Sequence, residues 1–172
     1  TTLSALEALF DSDDISRALI VVPASLKYQW LSEIKRFCSD GNTSYKAVVI
    51  DGPPKGREAL WRAAVSARYI IVNPELLQRD MAYLGKVRVE AIVIDEATMI
   101  KSRTTKRSRF LKQLGKRAMY RFALTGQPIE NRPEELFSIM EFVDPSVLGK
   151  FNLFDDTFIV RDHWGKPSRY RN

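Results

Sequence analysis

Residues 90–142 read EAIVIDEATMIKSRTTKRSRFLKQLGKRAMYRFALTGQPIENRPEELFSIMEF, and the pattern within them decides the fold. An apolar run at 91–94 meets Asp95-Glu96 directly, and a second, at 120–124, ends in Leu124-Thr125-Gly126. Working outward, β-rich apolar runs recur at 18–22, 47–50 and 69–72. They are continuous rather than alternating, as expected of strands covered by helices on both faces. Helical patterns at 25–37, 55–66, 74–84 and 104–114 fall between and after them, and another follows at 132–143. This alternation predicts an α/β fold: a doubly wound, mostly parallel sheet with right-handed crossovers.

In such a sheet, ligands bind in the crevice beyond the carboxyl ends of the strands. Paired carboxylates at that place suit a magnesium–nucleotide site. Asp95 would hold the metal, often through water, and Glu96 would orient or deprotonate an attacking water. An acid that merely caps the next turn is the plainer reading of the same dipeptide. Thr125-Gly126, followed by Gln127-Pro128, puts a small hydroxyl and a flexible residue at the end of the neighbouring run. Two polar loops then share one sheet edge, although an ordinary strand-to-loop turn would look alike.

The helical patterns carry their own packing logic. Leu26, Trp30, Ile34 and Phe37 form one apolar stripe, with Lys27, Glu33, Lys35 and Arg36 largely on the other face. Ser25 is the expected N-cap after Pro23. For the helix at 132–143, Asn131 is the expected cap, with Pro133 in the first turn and Glu134 completing a capping box. Residues 2–10 read as a short helix, and 151–160 as one more before a basic, aromatic tail.

The bulk numbers set limits. A chain of 172 residues suffices for one domain with a sizeable core. At 45% hydrophobic residues it is not a disordered composition. There is no apolar run of membrane-spanning length and no leading signal sequence, and the lone cysteine, Cys38, excludes an internal disulfide. These features point to a reducing, intracellular compartment, with Cys38 a passive core or boundary residue. With one Cys and one His, His163, a structural zinc site is excluded in practice. The net charge of +6 permits a polyanionic partner. Lys101, Arg103, Lys106, Arg107, Arg109, Lys112, Lys116 and Arg117 crowd one segment, which fits either a solvated helix face or nucleic-acid contact.

Four segments, in order, carry a family resemblance: LIVVPASLKYQWLSEIKRF, YIIVNPELL, DEAT with Ile100-Lys101-Ser102, and LTGQPIEN with EELFSIMEF. Together they resemble motifs Ia, Ib, II (Walker B) and III of the first RecA-like lobe of Swi/Snf-like ATPases, within the superfamily-two helicases. The resemblance covers nearly the whole chain. It implies ATP and magnesium as cofactors, duplex DNA as partner through its phosphate backbone, and a second RecA-like lobe of the same protein. Asp95 and Glu96 match the magnesium-holding and water-activating acids. Thr98 stands where the family usually has His, in a position that links the nucleotide site to motif III. Thr125, Gly126, Gln127 and Asn131 match the coupling motif, with Gln127 replacing Thr. Ser25, Lys27, Asn73 and Lys101 match nucleic-acid contacts, which position a duplex without reading its sequence.

The resemblance also places a phosphate-binding G-x-x-x-x-G-K-S/T loop directly before the helix at 2–10, and nothing here fits that pattern. The chain is therefore expected to be most of one lobe at 1–149, with 150–172 leading toward the second, and to be inactive alone. The full protein is expected in the cytoplasm of a bacterium or an infected cell, or in a eukaryotic nucleus. A non-catalytic α/β nucleic-acid-binding module and a lobe of another superfamily-two helicase are the competing readings.

Overall fold

The computed structural model describes residues 2–38, 47–164 and 167–171. Its main sheet has five strands: β1 (Ala18–Val21), β2 (Ala47–Val49), β3 (Tyr69–Val72), β4 (Ala91–Asp95) and β5 (Tyr120–Leu124). They lie in the order β2-β3-β1-β4-β5, and every neighbouring pair is parallel. β1, β3 and nearly all of β4 are buried on both faces, which is why they read as unbroken apolar runs.

Alternate residues feed two cores. Ala18, Ile20, Tyr69, Ile71, Ala91 and Val93 face α1 (Thr2–Asp11) and α2 (Lys27–Phe37) through Leu6, Phe10 and Ile34. Leu19, Val21, Ile70, Val72, Ile92 and Ile94 face the other layer. That layer comprises α3 (Pro54–Ala64), α4 (Pro74–Arg79), α5 (Met81–Leu84), α6 (Lys106–Gly115) and α7 (Pro133–Val143). No helix among the described residues is long and apolar enough to cross a membrane.

Several local expectations are corrected. Residues 74–84 are two helices, not one, because Asp80 breaks them and turns inward. Its carboxylate takes a bidentate bond from Arg57 (Nε–Oδ2 2.6 Å, the second arm 2.8 Å) and another from Trp61 Nε1 at 2.9 Å. Arg57 also donates to the Gly52 carbonyl at 2.8 Å, so one buried guanidinium ties α3 to two turns. Ser25 is not an N-cap. It sits inside a 3-10 turn, Ala24–Leu26, and α2 starts at Lys27 with no side-chain cap. Asn131 does not cap α7 either, since Arg132 occupies that position. The carboxylate that reaches back is Glu135, not Glu134. It accepts from the N–H groups of Glu130 (2.8 Å) and Asn131 (3.2 Å). Phe37, assigned to the apolar stripe, is 62% exposed.

Beyond Gly149 the chain forms α8 (Phe151–Phe158), and the expected helix ends there. Ile159 and Val160 begin an antiparallel hairpin of β6 (Ile159–Arg161) and β7 (Pro167–Tyr170). A small core of Phe137, Phe154 and Ile159 fastens this segment to α7. Arg103 lies 3.8 Å over the Phe151 ring and adds a cation–π contact. On the opposite side of the sheet, Cys38 is buried under Tyr69, whose hydroxyl donates to Glu7 and lies 3.7 Å from the Cys38 sulfur.

Candidate active site

β4 and β5 are adjacent and parallel, with Asp95 opposite Leu124. This register brings Asp95-Glu96 beside Thr125-Gly126 at the carboxyl edge, as the sequence implied. The two acids then part company. Asp95 is half-buried at the strand end, whereas Glu96 is exposed. The separation comes from the backbone: Glu96 adopts φ 53° and ψ 59°, the left-handed region that an L residue rarely occupies. A 3-10 turn, Ala97–Ile100, follows at once and carries the half-buried Thr98.

Both oxygens of Asp95 have protein donors. Oδ1 accepts the Glu96 N–H at 3.0 Å, and Oδ2 accepts the Trp30 indole N–H at 2.7 Å. The carboxylate opens on a cleft of about 810 Å³ between α1, α2 and the ends of β4 and β5. Leu3, Glu7, Trp30, Phe37 and Leu124 are among its walls. A cleft of this size suits a small-molecule ligand. Among the described residues no group of three or more His, Cys, Asp or Glu could hold a metal. A single strand-end carboxylate is nonetheless the donor set that magnesium uses when substrate phosphates and water complete its octahedron.

The loop that follows β5 is tied to the acidic loop. Lys101 pairs with Glu130, and Thr125 Oγ1 accepts the Gln127 N–H at 3.1 Å in a local turn. Gly126, Gln127 and Asn131 are exposed. The Glu135 carboxyl is pushed up by burial. The two N–H groups it accepts and the nearby Lys101 more than offset this and hold it below its ordinary range.

A second link runs deeper. The Ile100 carbonyl accepts from Ser108 Oγ (3.1 Å) and Ser138 Oγ (2.6 Å), so α6 and α7 both grip the turn that follows the acids. Lys112 donates to Ser138 at 2.6 Å and to Glu141 at 2.8 Å, and Arg103 also reaches Glu141. Burial pulls the Lys112 ammonium below its ordinary value despite Glu141.

The expected nucleic-acid contacts divide. Ser25 is exposed in the 3-10 turn that precedes α2. Lys27 and Asn73 are not surface groups: they are 3% and 6% exposed and bond to each other at 3.3 Å. Lys27 also pairs with Asp51 at 2.9 Å, and Asn73 donates to Glu75 at 2.7 Å. Glu75 in turn holds Arg107 of α6 at 2.7 Å. Lys27 therefore ties α2 to the two loops that follow β2 and β3 instead of offering a charge to solvent. Its bond holds the Asp51 carboxyl below the usual carboxylate range. Of the basic run, Lys101, Arg103, Arg107 and Lys112 are committed to internal carboxylates. Lys106, Arg109, Lys116 and Arg117 stay exposed, the first three at spacings that keep them on one helix face.

A doubly wound parallel lobe with an acidic pair beside a Thr-Gly turn, and with the first acid opening on a cleft, belongs with the ATPase cores. The SNF2-related domain family matches residues 1–166, and the chain belongs to that family. It is 36% identical over 141 residues to an uncharacterized ATP-dependent helicase of Mycoplasma pneumoniae, covering 82% of this chain and 13% of that protein. It is 31% identical over 150 residues to TATA-binding protein-associated factor 172 of Homo sapiens, covering 87% and 8%. The Sulfolobus solfataricus SWI2/SNF2 ATPase core in complex with dsDNA superposes with a TM-score of 0.75 at 30% identity, over 91% of this chain and 31% of that one. The chain thus spans a small part of the length of the relatives it matches.

Proposed function

We propose that this chain contributes the ATP-binding lobe, at 1–149 with an extension at 150–172, of an intracellular motor that moves on duplex DNA. The observation that carries the reading is the Asp95–Leu124 register, which sets the acids beside the Thr125-Gly126 turn, with Asp95 and Leu124 themselves on the wall of the cleft. Asp95 would hold magnesium together with the ATP phosphates, and the ion would offset charge that builds on the transferring phosphoryl group. Glu96, turned out of the strand by its left-handed backbone, orients and deprotonates water. Thr98 lies between this pair and Lys101, whose bond to Glu130 joins the acidic loop to the coupling loop. Thr125, Gly126, Gln127 and Asn131 pass the nucleotide state to the DNA track and to the second lobe.

For DNA, Ser25 and the exposed face of α6 meet phosphate, while Lys27 and Asn73 shape the surface from within. Such contacts weaken steeply with salt. The test is DNA-stimulated ATP hydrolysis by the full-length protein, with Glu96→Gln beside it. Loss of a positioned base lowers turnover about 10²–10⁴-fold while nucleotide binding persists. Equal rates in both proteins would remove Glu96 from the mechanism.

A further inference from the structure

We propose that Trp30 is a positioning residue for the magnesium-holding carboxylate, an inference that rests on the reading just given. Its helical spacing marks Trp30 as part of a packing stripe, and its ring does pack at the edge of the α1/α2 core. Its polar end does something else. The indole N–H is the only donor the ring has, and it is spent on Asp95 Oδ2 at 2.7 Å, across 65 positions of sequence. Oδ1 is held by the Glu96 N–H at 3.0 Å, so the carboxylate plane is fixed from both sides. Each oxygen keeps a lone pair for a metal-bound water. Neutral donors of this kind orient a ligating carboxylate without competing for the ion by charge.

The donor also comes from an informative place. Trp30 stands on α2 three residues past Lys27, which the Asp51 and Asn73 side chains lock. The helix that starts at the proposed DNA edge thus reaches the metal-holding group with one rigid side chain, and Trp30 and Asp95 line the same cleft. A bare packing role would place no demand on the N–H. A positioning role makes magnesium affinity depend on it.

The experiment uses the full-length protein, Trp30→Phe and Asp95→Asn. Magnesium is titrated into protein saturated with a non-hydrolysable ATP analogue, and heat of binding gives the apparent Kd. Trp30→Phe keeps the apolar body and drops the N–H, and its magnesium Kd is expected to rise about 10–100-fold. Excess magnesium restores turnover toward wild type, and duplex affinity without nucleotide stays within about twofold of wild type, inside the roughly 0.5 kcal/mol expected of uncoupled sites. A second readout needs no change at Trp30: with ¹⁵N-labelled indoles, Asp95→Asn moves the Trp30 N–H resonance far more than those of Trp61 and Trp164. This measurement also decides the matter if Trp30→Phe does not fold. If Trp30→Phe leaves the magnesium Kd unchanged while Asp95→Asn raises it, the positioning role is overturned and the motor reading stands. If Asp95→Asn also leaves it unchanged, Asp95 is not the metal holder and both fall.

Discussion

Replacing Glu96 by glycine should make the protein more stable and catalytically silent at once. Glu96 sits at φ 53° and ψ 59° with its side chain exposed, so the fold gains little from its burial and carries the cost of its backbone. A left-handed L residue costs about 1–2 kcal/mol. Glycine has no such cost but gives up roughly 0.5–1 kcal/mol of chain entropy. The difference is a gain of about 0.5–1 kcal/mol, or a rise in Tm of about 1–4 °C for a domain of this size. Glu96→Ala is the matched control, because it removes the same carboxylate and keeps the Cβ that creates the strain. Thermal unfolding followed by circular dichroism should rank glycine above both alanine and wild type, and ATP turnover should collapse in both variants. A glycine variant no more stable than the alanine variant would show that the acidic turn stores no strain.

Arg57→Ala should be far more damaging, because it strands the Asp80 carboxylate, 5% exposed, with only the Trp61 N–H. Breaking one partner from such a buried pair costs about 3–5 kcal/mol, readable as a lowered urea midpoint, and a loss under about 1 kcal/mol would mean that water replaces the guanidinium. Acid should act through the same carboxyls. Arg57 holds Asp80, and Lys27 holds Asp51, below the ordinary range, so each binds its proton less readily folded than unfolded. Their contribution is complete above the unfolded value near pH 4 and is lost as pH falls through the lower folded values. The urea midpoint should therefore be level from pH 7 to about pH 5 and fall below about pH 4, less steeply in Asp80→Asn; a level profile down to pH 3 would contradict the assignment.

The sheet was legible because buried parallel strands leave a one-dimensional mark: Ala91–Asp95 and Tyr69–Val72 are apolar at nearly every position because both faces are covered. The juxtaposition of the acids and the Thr-Gly turn was legible for the same reason, since neighbouring parallel strands end at one edge. What escaped depends on partners distant in sequence. Lys27 has the helical phase of a solvent residue, and the Ile50 carbonyl, Asp51 and Asn73, from two other loops, make its burial tolerable. Trp30 fits a packing stripe equally well with or without an acceptor for its N–H. Asp80 looks like an ordinary polar residue within a helix until Arg57 and Trp61 turn it inward. Glu134 and Glu135 both suit a reach back to the helix start, and the chain path ahead of Arg132 selects the second. Ser138, 0% exposed in the apolar run SIMEF, was the one sequence hint of the grip on Ile100.

The thiol beneath Tyr69 has a practical side. Burial, the larger influence, together with the neighbouring Glu7, lifts Cys38 above its usual value, although the Tyr69 hydroxyl works the other way. The reactive thiolate is scarce there, and only 4% of the residue is exposed. A cysteine introduced on an exposed loop of this domain, at Gln127 for example, would take a maleimide dye selectively with the native residue left in place. Distance measurements between such a dye and labelled DNA could then test the proposed DNA contacts with Cys38 retained.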